Sequence, residues 1–272
     1  MTMLKARILT AIVLIPLFLG ALFTLSDEMW TGLTLAVTMV ACWEWGKLAG
    51  FPKALVHAYS PMTFILSLFF LWLIHMDAAR ILYFYGASAF FWLMLAPSWL
   101  AFGWHVRNPV IMVLVGWVIL IPTWLALIDL RLHGAGLLLG IMAVVWIADT
   151  AAYFTGRTYG AHKLAPMISP GKSWEGVAGA GAAVAIYAGI LIFLADTASL
   201  GIAPFWLILS ALVLMGFSII GDLFESAVKR NAGLKDSGNI LPGHGGILDR
   251  IDSLTAALPL AALGLMLIQF IP

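Results

Sequence analysis

Val110-Ile-Met-Val-Leu-Val-Gly-Trp-Val-Ile-Leu-Ile-Pro-Thr-Trp-Leu-Ala-Leu-Ile128 runs for 19 positions without a charged residue. As a helix it covers about 28 Å, close to the depth of the hydrocarbon layer of a bilayer. Comparable runs recur along the chain, which is 63% hydrophobic and 10% charged, with a mean hydropathy of +1.04. That composition excludes a soluble globular domain. Spans are predicted at approximately 7–25, 30–49, 60–76, 81–102, 109–129, 135–156, 174–195, 203–222 and 248–270. The fold class expected is therefore all-α, a polytopic membrane protein of about nine transmembrane helices.

The third and fourth spans are divided only by Asp77-Ala-Ala-Arg80, and the eighth is expected to continue as helix to about Arg230. Lys5 and Arg7 precede the apolar run Ile8 to Leu25, which outlasts the usual secretory core of about 7–15 residues. It reads as a retained first helix. The small residues between Val177 and Gly189 suit close approach of the seventh helix to its neighbours. Cys42, the only cysteine, lies in an apolar run and reads as a small buried hydrophobe.

Twelve of the 14 Lys and Arg residues fall in one set of loops if the N-terminus is inside, leaving only Arg80 and Arg131 on the other. Cytoplasmic loops hold the basic residues, so the N-terminus is expected in the cytoplasm. The same topology puts the charge-rich loops 157–173 and 223–247 on the cytoplasmic side. The chain divides on this reading into N-terminal helices, 1–132, and a C-terminal catalytic region, 133–272.

Four constellations break the apolar pattern. Asp222, Glu225, Ser226 and Lys229 share one face at the end of the eighth span, followed by Arg230. Asp249, Asp252 and Ser253 share another, with Arg250 between them, where the ninth span opens. Two carboxylate-bearing helix ends can converge on a divalent cation such as Mg²⁺, which takes one or two carboxylates and fills its remaining positions with water and phosphate oxygens. Internal pairing with Lys229, Arg230 and Arg250 is the alternative. Between them, Leu241-Pro-Gly-His-Gly-Gly246 offers bare backbone N–H groups to a phosphate, with His244 as proton donor, phosphate contact or strut.

The third constellation, Ser169-Pro-Gly-Lys172-Ser-Trp-Glu175, carries a lysine suited to a phosphate; it fails as a P-loop because Pro166 stands where the first glycine is required. The fourth is Asp149 with Tyr153 one helical turn on, a structural pair or a substrate contact. Glu44 and Lys47 read as a local i, i+3 pair. The remaining histidines have no paired spacing and suggest no zinc site.

These blocks resemble the CTP:phosphatidate cytidylyltransferases, the CDP-diacylglycerol synthases. The signature of that family is matched by Ser226, Lys229, Arg230, Lys235, Asp236, His244, Gly245, Gly246, Asp249, Arg250 and Asp252, and the blocks around Asp149 and Lys172 look like the family's as well. The first four spans resemble it in hydropathy alone. The resemblance implies a bacterial inner-membrane enzyme, homodimeric, that joins CTP to phosphatidic acid, giving CDP-diacylglycerol and pyrophosphate, with no part for nucleic acid. It implies a paired metal centre, Mg²⁺ with a second cation such as K⁺, on Asp222 and Asp249, with Glu225 and Asp252 beside them. Lys172, Lys229, Arg230 and His244 would act on phosphates, and Asp149, Tyr153, Ser169, Ser226, Lys235, Asp236, Gly245, Gly246 and Arg250 would bind substrate. A CTP-dependent lipid kinase and an ion-coupled transporter are the rivals. The second usually shows paired halves with broken helices, and none are evident in this sequence.

Overall fold

The computed structural model describes residues 3–194 and 203–269. Nine helical rods follow one another among the described residues: α1 (Met3–Thr24), α2 (Asp27–Leu48), α3 (Lys53–Met76), α4 (Ala78–Phe102), α5 (Pro109–His133), α6 (Ala135–Tyr159), α7 (Trp174–Leu194), α8 (Pro204–Asn231) and α9 (Leu248–Gln269). The protein is all-α and membrane-embedded, and the rods from α3 to α9 are the seven long and apolar enough to cross a bilayer. The apolar part of α1 described, Thr10–Thr24, is shorter. The second rod carries Asp27, Glu28, Glu44 and Lys47 within its 22 residues.

Several rods begin or end outside the apolar runs, because polar turns continue the backbone ladder past the bilayer-facing stretch. At the start of α2, the Ser26 hydroxyl accepts from the Met29 amide at 3.3 Å, with Asp27 and Glu28 in the first turn. Asp77, in the short break between α3 and α4, accepts from the Ala79 amide at 3.1 Å and pairs with Arg80 at 3.5 Å. Within α4, Phe91–Leu95 widens to a π-helical turn just before Pro97, and the Ala96 amide bonds back to Phe91. A proline in a helix removes one i→i−4 bond, and the wider turn re-pairs the backbone around that gap. The eighth rod runs to Asn231, as its charged extension predicts.

One element was not anticipated. The loop expected at 157–173 folds into an antiparallel hairpin, β1 (Lys163–Ala165) with β2 (Ser169–Ser173), in register Lys163↔Ser173.

Packing in lipid cannot draw on hydrophobic transfer between helices and rests on close contact and interhelical hydrogen bonds. Phe224 of α8 is the centre of the first core: Phe91, Trp92 and Trp99 of α4 meet it edge-on at 5.2–5.7 Å, and Trp45 of α2 stacks on it at 6.5 Å. Trp45 in turn donates its indole N–H to the Met112 carbonyl at 2.9 Å. A second core joins α1, α2, α4, α5, α6 and α9 around Trp30, Tyr85 and Trp124, and a third joins α6, α7 and α8 through Val144, Ala180, Val184 and Ala211. The small residues of α7 do bring it close to α6: a side chain at Gly179 would overlap Thr155. The first two cores draw on both sides of position 132.

Candidate active site

The ends of α6, α8 and α9, the start of α7, the β-hairpin and the loop 232–247 meet in one polar region, which has two unlike halves. In the first, every carboxylate oxygen of the two buried acids Asp249 and Glu44 is engaged. Lys229 Nζ lies 2.8 Å from Asp249 Oδ1 and 3.0 Å from Glu225 Oε1, so this ammonium clasps α8 to α9. Asp249 also accepts the Ser237 amide on both oxygens, at 3.1 and 2.9 Å, and the Gly246 amide on Oδ2 at 2.8 Å.

Beside it, Glu44 of α2 is fully buried. Its Oε2 accepts from the Leu248 amide at 2.7 Å and the Ser237 hydroxyl at 3.1 Å, and its Oε1 from the Ile247 amide at 3.2 Å. These amides are the unpaired donors at the positive N-terminus of α9, so a carboxylate there is held by hydrogen bonds and by the helix dipole together. The expected Glu44–Lys47 pair is not formed: Lys47 lies instead over the Trp43 ring, 3.1 Å from its centroid. Glu44 is the functional-region residue that sequence reasoning missed. Its signal was a carboxylate inside the apolar run Ala41 to Trp45, too costly to bury without several donors.

The glycines of the loop serve this half. Gly245 holds φ +81°, and a side chain at Gly246 would strike Ser237 and Glu44. The Gly246 amide, expected to be free for phosphate, is given to Asp249.

The second half is open. Asp222 Oδ2 meets Lys172 Nζ at 2.8 Å, and its Oδ1 accepts from Ser226 at 3.1 Å; the Lys172 and Asp222 side chains keep 23% and 29% exposure, enough for a ligand to reach them. Arg230 Nε donates to the Ile168 carbonyl at 3.2 Å, so the hairpin that carries Ser169 and Lys172 is pinned to α8. Asp149 of α6 and Asp252 of α9 are close enough to Asp222 to act on it electrostatically, and the Ser253 side chain lies near Asp149. Tyr153, the partner expected for Asp149, points elsewhere: it is exposed and its hydroxyl accepts from Arg157 at 3.1 Å. Glu175 braces the hairpin entry through His162, 2.6 Å from its ring nitrogen.

Between the halves, Glu225 Oε2 is buried with no hydrogen-bond partner, and Asp252 repels it. The Nδ1 atom of His244 is likewise buried and unpartnered. Lys235, Asp236 and Arg250 lie exposed at the rim. Among the described residues, no three His, Cys, Asp or Glu side chains are grouped as a complete metal cage.

Carboxylates set beside ammonium and guanidinium groups in one polar region of the membrane helices are groups whose chemistry suits phosphate, in a polytopic membrane protein. The chain belongs to the cytidylyltransferase family, whose pattern matches residues 5–268. It is 39% identical to the phosphatidate cytidylyltransferase of Haemophilus influenzae over 94% of this chain and 96% of that protein. It is 40% identical to the one of Pseudomonas aeruginosa over 96% of each. With the phosphatidate cytidylyltransferase of Brucella suis the identity is 54%, over 43% of this chain and 42% of that one. The likeness thus extends through the N-terminal spans, beyond the hydropathy expected of them, and Glu44 lies in that part.

Proposed function

We propose that this protein transfers the cytidylyl group of CTP to phosphatidic acid, giving CDP-diacylglycerol and pyrophosphate. The single observation that carries this reading is the near-full-length similarity to two phosphatidate cytidylyltransferases, and the open half of the site supports it. An oxygen of the lipid phosphate attacks the α-phosphorus of CTP in line, forming a new P–O bond as the bond to pyrophosphate breaks. The nucleophile is already anionic near neutral pH, so the main obstacle is repulsion between two anions rather than removal of a proton. Fixed cations aimed at the phosphate oxygens address that obstacle.

Asp222 fits a cation. It is partly exposed, holds the Lys172 ammonium, and lies within electrostatic reach of Asp149 and Asp252. Mg²⁺ needs only one or two carboxylates where substrate phosphates complete its shell. The expected partner Asp249 fits less well, because its oxygens are filled by Lys229 and two amides. In our reading the cation sits on Asp222, with the negative charge of Asp252 and Asp149 adding to its attraction from nearby. When bound, the cation supplies charge neutralisation at phosphate oxygens. Lys172 and Arg230 bind the triphosphate or lipid phosphate from the hairpin side. His244 holds or donates a proton at pyrophosphate through its unpartnered nitrogen, and Lys229 keeps α8 and α9 in register.

The test is purified protein in detergent with CTP, phosphatidic acid and Mg²⁺. Label from the α-phosphate of CTP enters the lipid if the reading is right. Label from the γ-phosphate entering instead would establish a lipid kinase. EDTA stops the reaction and Mg²⁺ restores it; indifference to chelation removes the cation from the scheme.

The site faces the cytoplasm of a bacterial inner membrane on this reading, supported by the bias of Lys and Arg. With Cys42 first replaced by Ser, a cysteine at Ala161 reacts with an impermeant reagent only from the cytoplasmic side, and one at Ala79 only from outside. The opposite pattern would put the site where CTP is absent.

A further inference from the structure

A cavity of about 200 Å³ lies among α1, α2, α5, α6 and α9, away from the carboxylates but ending beside them. Its walls include Phe18, Trp30, Val37, Thr123, Trp146 and Leu258. Three threonines line it, yet each has already given its hydroxyl proton to a carbonyl of its own helix and can offer a ligand only weak acceptor capacity. Thr34 donates to the Trp30 carbonyl at 2.8 Å, Thr38 to the Thr34 carbonyl at 2.8 Å, and Thr123 to the Ile119 carbonyl at 2.7 Å. The Trp30 indole is spent on the Leu127 carbonyl at 3.0 Å. Water needs two to four polar partners to occupy a cavity, and this wall provides almost none, so the space suits hydrocarbon.

One charged residue borders it. Arg250 stands on the first turn of α9, from which Ile251, Leu254 and Leu258 run down the cavity wall. Arg250 lines the mouth of the cavity and also acts electrostatically on Asp149, so it stands on the side of the cavity toward the open half of the site. From Arg250 to Leu258 the helix descends about 12 Å, the depth of a long hydrocarbon segment. At the membrane side, Phe18 meets both Trp30 and Trp146 at 6.0 Å, and Trp146 is 41% exposed, which marks the boundary between cavity and bilayer.

We propose that this cavity receives one acyl chain of an anionic phosphate-bearing diacyl lipid, entering between α1 and α6 past Phe18 and Trp146, with Arg250 holding the phosphate at the cavity mouth. The inference rests on the lipid-substrate reading above and adds where that lipid sits. The cation at one end and the dry wall below it match the two ends of such a lipid. An uncharged lipid would gain only the wall.

Two experiments test it. In the first, phosphatidic acid and phosphatidylcholine carrying the same chain-terminal diazirine are photolysed with the protein in nanodiscs. Phosphatidic acid should label the peptides spanning 33–38 and 251–258 at least about fivefold more than phosphatidylcholine, and unlabelled phosphatidic acid should suppress that labelling. Equal labelling by the two lipids would mean ordinary surrounding lipid and would overturn the proposal, whatever the protein's activity. In the second, Val37→Trp fills the cavity from the half-buried face of α2. The ratio of kcat/KM for dioleoyl over dihexanoyl phosphatidic acid should fall about tenfold, with KM for CTP unchanged. An equal loss on both lipids, or none, would refute the chain pocket. Wild-type protein that converts neither lipid would instead refute the proposed reaction.

Discussion

Asp249 and Asp222 look alike in the sequence, one acid in the first turn of α9 and the other two turns before Lys229 and Arg230 on α8, yet they lead different lives. Asp249 is 8% exposed and filled with an ammonium and two backbone amides. Asp222 faces a gap with one lysine and one serine. A buried acid with all its acceptors used is a fastening, whereas an accessible one near two further carboxylates is an unmet demand for positive charge. The contrast teaches that the same residue type can build a site or work in it, according to where nearby backbone donors point.

The largest expected effect tests the open half. Asp222→Asn should lower turnover about 10³-fold, the loss of roughly 4 kcal/mol of transition-state stabilisation, with the thermal unfolding midpoint unchanged. Turnover above a tenth of wild type would put Asp222 among the fastenings. Asp249→Asn should do the reverse in kind: its new amide group would face two N–H donors, and breaking this buried pair costs about 3–5 kcal/mol. The midpoint should drop together with activity. A variant that is fully stable but inert would erase the distinction between the two acids.

Lys172→Met should reduce kcat/KM about 10²-fold, as expected for one charge-assisted contact worth about 1.5–3 kcal/mol. Lys172→Arg should recover part of it, since a guanidinium fork cannot take an ammonium's position. Glu44→Gln keeps the shape but loses one acceptor for three donors. It should cost about 1–3 kcal/mol of stability, seen as a lowered midpoint, with KM for CTP nearly constant in the folded fraction. Lys163→Met, on the same hairpin as Lys172, is the smallest: kinetics within about twofold of wild type.

The helices were legible because a bilayer demands long apolar runs, and each run leaves its mark regardless of its neighbours. The acids and bases of 222–252 were legible because they lie together in the chain. Glu44 was not, because its partners lie roughly two hundred residues away, and only packing brings α2 against the loop. The hairpin escaped notice because its strands are short and polar, with Pro170 and Gly171 inside the second. The inequality of Asp222 and Asp249 could not be read either. It depends on the amides of Ser237 and Gly246, and backbone donors have no letter in the sequence.

The rings around Phe224 carry a consequence for depth. A helix is a screw, advancing 1.5 Å for each 100° of rotation, so it cannot slide along its groove without turning. With Trp45, Trp92 and Trp99 closed on Phe224, α8 cannot turn. The level of Asp222, two residues earlier, is therefore indexed to an aromatic socket rather than to the surrounding lipid. A thicker or thinner bilayer must be accommodated at the far end of the rod, near Pro204, where tilt and local lipid deformation cost only fractions of a kcal/mol per Å. The reactive end keeps its altitude while the other end floats.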